Sequence, residues 1–385
     1  MTPAETGSVE AAASPVHGDE PEELEPGIAL CLSGGGYRAM LFHAGAVRRL
    51  NELGYLPQLK RVSSVSGGSI TNGVLAATWT KLRFENGVAS NLDELFLKPI
   101  RHLATKTIDM PAVFKGILLP GTISDRIADS YRNHVFGTRS LRDLPDEPRF
   151  VFDATSMQTG ALFRFSKPYM ADYTVGLVPN PDVDLATAVA ASSAFPPILS
   201  PVVVDIDPDS WDPSANGPLH QPPYTTQAVL SDGGVYDNLG LETAWKRHRT
   251  VFVSDGGGRM GPQPSPRHDW PRHAYRTLSV IDTQVRSLRK RQVVAGYLKG
   301  ERDGTYWGIR SHIGDYGPPD GSLPCTDKAT TRLADTATRL AHMDDTLQER
   351  LINWGYAICD AAMRRWVDTT LPAPAGFPYP SAGVG

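Results

Sequence analysis

The sequence predicts an α/β protein of three α/β/α layers, with a mainly parallel sheet and a helical C-terminal extension, and three observations carry that expectation. Residues 28–32 (Ile-Ala-Leu-Cys-Leu) form a short apolar run that stops at three glycines, and Met40, Ala44, Val47 and Leu50 then recur at helical spacing across 39–53. The same order returns at once, with an apolar run at 62–65, a glycine pair, and an apolar helix from Ile70 to about Leu82. Strand, glycine turn and helix, repeated, is the grammar of parallel strands joined by crossover helices. Beyond residue 265, amphipathic helical patterns fill 272–298 and 328–366.

Residues 1–25 are rich in Glu and Asp, hold no Lys or Arg and offer few large apolar side chains, so they are expected to form a disordered acidic tail. The main domain is expected over 26–265, a helical extension packed on it over 266–370, and a flexible tail over 371–385. Within the domain, 92–145 reads as mainly helical. Strand signals fall at 149–154, 162–165, 202–206, 228–230 and 251–254, and the stretch 207–227, rich in Pro, Asp and Asn, reads as an exposed loop. Two glycine turns sit at the carboxyl ends of strands, where open α/β sheets place their ligand sites.

Composition narrows the function. A formal net charge of −4 argues against a nucleic-acid partner, which calls for a strongly basic face. Cys31, Cys325 and Cys359 are odd in number and lack CxxC spacing, so they read as reduced thiols. No apolar run approaches the roughly 18 residues of a membrane span. With no basic-then-apolar leader, a cytoplasmic protein is the default expectation. No cluster of metal-ligand residues stands near the glycine motifs, so no metal and no cofactor are expected.

Three motifs carry chemistry. Ser64-Val65-Ser66-Gly67-Gly68 sets a serine between a strand and a helix, with small residues two positions to either side. That is the pattern of a nucleophile elbow, whose tight turn excludes bulk and aims a helix N-terminus at the serine oxygen. Ser33-Gly34-Gly35-Gly36-Tyr37-Arg38 exposes consecutive backbone amides, which suit a phosphate, the oxyanion of an ester under attack, or a plain tight turn. It lacks the glycine patterns of nucleotide sites. Ser231-Asp232-Gly233-Gly234 places a carboxyl after a short strand with nothing bulky beside it, though Asp-Gly-Gly alone also suits a turn. Asp237 and Asn238 are expected to shape the loop around it.

Taken in this order, the three motifs resemble those of the patatin-like phospholipase family: a GGGxR loop, a GxSxG elbow and a later DGG aspartate. Residues 190–197 (Ala-Ala-Ser-Ser-Ala-Phe-Pro-Pro) and Asp153-Ala154-Thr155 are similar to further family segments, and the wording of the glycine loop is close to the cytosolic phospholipase A2 branch. The resemblance covers about 27–258 and departs at Ser33, Ala39 and Ser64, where many members have Asp, Gly and Gly. It implies Ser66 as nucleophile, Asp232 as general base and the amides of Gly34, Gly35 and Gly36 as an oxyanion hole. Arg38, Gly67, Gly68, Gly233 and Gly234 would bind substrate or position loops. The implied activity is that of a lipid acyl hydrolase, of phospholipase A or lysophospholipase type, working through an acyl-enzyme. Its substrate would be a phospholipid or another lipid ester, met in transient contact with a membrane surface. A transacylase or thioesterase using the same pair, or a silent lipid-binding scaffold, stays open.

A Ser-His-Asp arrangement would need a histidine after the acid, such as His248, His273 or His312, and none lies in a glycine-flanked loop. His43 reads as a packing residue. Arg286, Arg289, Lys290 and Arg291 share a helix with the apolar stripe Leu278, Ile281, Val285 and Leu288. The stripe is expected to pack inward and the cations to form its solvated face, with contact to anionic headgroups as the second reading. Residues 110–119 read as packing or as a lid. Leu333, Leu340, Leu347, Leu351, Trp354 and Ile358 are expected in the core.

Overall fold

The computed structural model describes residues 23–109, 123–197, 199–266, 268–317 and 319–385. Most of the acidic tail expected at 1–25, and the apolar stretch 110–119, lie outside them.

Strand β1 (Glu25–Leu32) leads through the glycine loop into α1 (Gly36–Glu52), and β2 (Leu59–Ser64) leads through the serine turn into α2 (Gly67–Thr78). A small hairpin, β3 (Phe84–Glu85) and β4 (Val88–Ala89), and two helices, α3 (Lys98–Ala104) and α4 (Ile123–Tyr131), precede β5 (Arg149–Ser156). Next come β6 (Leu162–Phe165), β7 (Tyr169–Asp172), β8 (Gly176–Pro179), α5 (Leu185–Ser192), β9 (Val202–Asp205) and β10 (Gln227–Asp232). Two one-turn helices, α6 (Gly234–Asp237) and α7 (Glu242–Trp245), lead into β11 (His248–Asp255). The chain continues with α8 (Trp270–Leu298), β12 (Asp303–Gly308), α9 (Asp327–Ala334) and α10 (Asp345–Trp366).

The central sheet is mixed and mostly parallel, in the order β12-β11-β1-β2-β5-β6-β7-β8, with β10 and then β9 attached to β5. The pairings from β12 to β5 are parallel, and β5 to β8 form an antiparallel meander. Side chains alternate across the parallel strands. Leu30, Leu32 and Phe252 join the core under α1, α2 and α10, whereas Ala29, Cys31, Val251 and Val253 pack with Leu241, Ala244, Trp245 and Val293 on the other face. Both faces are covered, so β1 reads as a continuous apolar run.

The expected C-terminal helices are present. Helix α10 crosses α1 so closely that a Cβ on Gly45 would lie 1.9 Å from the Ile352 carbonyl, and one on Gly355 would lie 1.8 Å from that of Phe42. A buried Arg49–Asp360 ion pair of 2.7 Å joins the same two helices. Leu333, Leu340, Leu351, Trp354 and Ile358 are buried as expected, and Leu347 is partly buried. Strands β7, β8 and β12 carry no signal in the sequence reading, and β12 adds an edge strand within the region expected to be helical. Residues 371–385, expected as a flexible tail, are tied to α10. The Asn353 amide group donates to the carbonyls of Tyr379 and Gly383, and Val384 is buried. Side chains binding backbone carbonyls hold this segment, a tether that its composition does not announce.

Helix α8 faces opposite to expectation. Leu278, Ile281 and Leu288 are 57%, 54% and 58% exposed, while Arg286 is buried at 9%. Lys290 reaches the buried Asp255 at 2.6 Å and Arg289 reaches Glu242 at 2.8 Å. A carboxylate buried at the end of β11 requires cationic partners, and that requirement turns the basic side of α8 inward.

Candidate active site

The site forms where two strands meet end to end. Along one edge of β5, β2 pairs up to Ser64 opposite Phe152, and β10 enters antiparallel with Asp232 opposite Ala154. Both strands therefore point their carboxyl ends at the same break in the ladder. Ser66 follows one of those ends and Asp232 closes the other, so residues 166 positions apart in sequence come together.

Ser66 adopts φ 54° and ψ −121° at the N-terminus of α2. Such a conformation costs a non-glycine residue about 1–3 kcal/mol and persists only where its surroundings hold it. The holding groups come from the end of α5. The Ser66 amide donates to the Ser192 carbonyl at 3.1 Å and lies 3.2 Å from the Ser192 hydroxyl. The same carbonyl accepts the Gly233 amide, and the Ala194 carbonyl accepts the Asp232 amide. One segment thus bolts both halves of the site together, which gives residues 190–197 a physical task that the sequence reading had only by likeness.

The departure at Ser64 is accommodated by polar neighbours. Its hydroxyl donates to the Val151 carbonyl, accepts from Asn72 and pairs with Ser69. Gly67 permits the closest approach, since a Cβ there would lie 2.2 Å from the Gly36 carbonyl, so the serine turn rests on the glycine loop. Gly68 packs against the Leu32 carbonyl and Gly233 against that of Asp153.

Among the described residues, the amides of Gly35, Gly36 and Gly67 donate to no protein acceptor, whereas that of Gly34 does not stay free. It donates to the Asn238 carbonyl and, at 3.0 Å, to the Asn238 side chain. Gly34 is expected among the oxyanion donors; here its amide is taken up in holding the loop, while that of Gly67, beside the serine, is left without a protein acceptor. Gly35 adopts φ 144°, a conformation open to glycine.

Arg38 is buried, and its guanidinium donates to the carbonyls of Gly256 and Thr336, so it fastens the loop. His43 bridges Ser254 through Nδ1 and Ser33 through Nε2. A carbonyl only accepts, so Nε2 carries the proton and the ring is neutral, its pKa pushed down to about 4 by burial. His248 pairs with Arg61 and stands opposite Glu25 in the ladder, at the far end of the sheet from Ser66. Asp237 accepts the amides of Leu239, Leu241 and Glu242, shaping the loop as expected.

Asp232 is buried, and burial pushes its pKa up to about 7, opposed by the Gly234 amide at 2.7 Å and by the nearby Ser66 hydroxyl. Its second oxygen, Oδ2, is buried and accepts no well-formed hydrogen bond. A hydroxyl in a strained turn, a carboxyl poised near neutrality with a free oxygen, and three free amides provide for proton transfer and for stabilising an anion. No histidine contacts either residue among the described residues. These also contain no group of side chains suited to a metal ion and no helix long and apolar enough to cross a membrane.

A family model described as patatin-like phospholipase matches residues 30–245, more than half of the chain. The chain belongs to the patatin-like phospholipase family. The matched span of this family member includes Ser66, Asp232 and the glycine loop. No curated protein matches it. Among solved structures, the human GIVD cytosolic phospholipase A2 bound to methyl gamma-linolenyl fluorophosphonate and terbium chloride shares 13% identity, with a TM-score of 0.48, over 87% of this chain and 57% of that one. A second structure of human GIVD cytosolic phospholipase A2 gives 11% identity and a TM-score of 0.49, over 87% and 58%. VipD from Legionella pneumophila gives 15% and 0.33, over 88% and 66%. The chain thus spans less than two thirds of the human structures it matches.

Proposed function

We propose that the protein is a lipid acyl hydrolase of phospholipase A or lysophospholipase type. In this reading Asp232 takes the proton of the Ser66 hydroxyl while the oxygen attacks the ester carbonyl, and the amides of Gly35, Gly36 and Gly67 hold the resulting oxyanion. Collapse expels the alcohol, which recovers the proton from Asp232 and leaves an acyl-enzyme. Water, deprotonated by Asp232, then releases the fatty acid and restores Ser66. The carboxyl acts directly, so the histidines take no part. The observation that carries the reading is the Ser66 elbow set beside a buried carboxyl whose Oδ2 is unpartnered. Family membership supports lipid-ester substrates. The test is hydrolysis of a short nitrophenyl ester and a phospholipid panel by wild type, Ser66→Ala and Asp232→Asn, with folding followed by circular dichroism. Loss of turnover in both folded variants is expected. A Ser66→Ala protein as active as wild type refutes the assignment.

A further inference from the structure

Helix α8 presents an apolar stripe to solvent. Trp270, Ile281 and Leu288 share one line along the helix, turned away from Arg286 and Val293, which pack inward, and Leu278 is exposed in the half that leaves the body. Trp270 is 81% exposed, and almost every side chain from Trp270 to Ile281 is open to solvent, so the first half of the helix stands away from the body.

Charge says what chemistry fits this face. From Trp270 to Leu298 the sequence has six Lys or Arg residues and one acid, Asp282. Three of the cations, Arg286, Arg289 and Lys290, are occupied by Asp255 and Glu242. Among the described residues, Arg276 and Arg291 donate to the backbone carbonyls of Gly261 and Ser287, and Arg272 reaches Asp269 at 3.7 Å while staying two-thirds exposed. Asp282 is turned toward Asn238, 3.5 Å away. The exposed part of the helix therefore joins an apolar stripe, bordered by Arg291, to the further cations Arg272 and Arg276 around the helix, and Asp282 does not lie on the stripe. A stripe that inserts below headgroups, with cations at their level, is the signature of a helix lying on an anionic lipid surface.

We propose that the outward face of α8 docks on an anionic lipid surface and sets the mouth of the Ser66 site against it. The inference deepens the lipid-hydrolase reading and rests on it for its purpose. The link to the site runs through Asn238, which touches Asp282 on α8 and holds the Gly34 amide next to Ser66. Phe195 and Val235, each 48% exposed, follow directly on Ala194 and Gly234, which bind the Asp232 backbone and side chain, so apolar surface also rims the site.

The test is co-sedimentation with vesicles of phosphatidylcholine, with and without phosphatidylglycerol. Wild type and Ser66→Ala are expected to bind the anionic vesicles and to leave the neutral ones. Ile281→Asp combined with Leu288→Asp, and Arg276→Glu combined with Arg291→Glu, should each weaken that binding about tenfold or more. Both pairs should hydrolyse a water-soluble ester as wild type does, which shows the fold intact. Equal binding by the apolar pair, or no preference for anionic vesicles, overturns the proposal. So does a wild-type dimer that the apolar pair dissolves, for then a second copy covers the face. Vesicle binding without ester hydrolysis by any form would sink the hydrolase reading and leave the docking surface standing, and the reverse result would do the opposite.

Discussion

Replacing Asp232 with Asn should make the protein more stable at pH 8 while removing its turnover. The folded chain holds the Asp232 proton up to about pH 7, whereas an ordinary aspartate releases it near 3.8. Three powers of ten in proton affinity, each worth about 1.4 kcal/mol, make the ionised carboxylate about 4 kcal/mol costly inside the fold. The sign follows from proton binding. Between about pH 4 and pH 7 the native state keeps a proton that the unfolded chain has lost, so wild-type stability falls as pH rises through that window and levels off above it. Asn titrates nowhere, and its carbonyl oxygen retains the bond from the Gly234 amide. Asp153, also raised to about 7 by burial, is common to both proteins and cancels. Urea midpoints measured from pH 4 to pH 8 should show a gap that is small at pH 4 and grows to about 2–4 kcal/mol in favour of the variant at pH 8. A gap independent of pH, or a variant less stable than wild type at pH 8, would refute the reasoning.

Other perturbations probe the same framework. The kcat/KM for ester hydrolysis should rise with pH through an apparent pKa near 7, because the base must be ionised; His43, held neutral, adds no step in that range. Gly67→Ala would drive a Cβ into the Gly36 carbonyl, costing about 2–3 kcal/mol by denaturation and most of the turnover. Asp360→Ala removes the buried carboxylate shared by Arg49 and Arg364 and leaves Arg49 only the partly exposed Glu52, and a loss of about 3 kcal/mol is expected in thermal or urea unfolding.

Legibility followed burial and chain proximity. Strands β1 and β11 of the parallel half were readable because they are covered on both faces and carry apolar runs at 28–32 and 251–253. Strands β7, β8 and β12 were not, since they are short or interrupted by glycine, proline and aspartate, and their neighbours in the sheet specify them. At the site, each motif announced itself through local backbone demands. What joins the motifs did not: Ser192 and Ala194 act through carbonyl oxygens, which every residue has, and Asn238 reaches Gly34 across 204 positions. The direction of α8 was misread because periodicity finds an apolar stripe but not which way it points. Asp255, which decides that, sits in the preceding strand.

The crossing of α1 by α10 bears on when the protein gains its chemistry. Helix α1 carries the glycine loop at its start, yet its outer side meets a helix about 300 residues further along, through contacts such as Arg49 with Asp360, 311 positions apart. Closing so long a loop comes late in assembly. A growing chain has made the serine turn and the glycine loop long before the helix that braces them, and chains cut before residue 345 should cleave no ester. On the proposed activity, ester cleavage would begin only once nearly all of the described fold has been made.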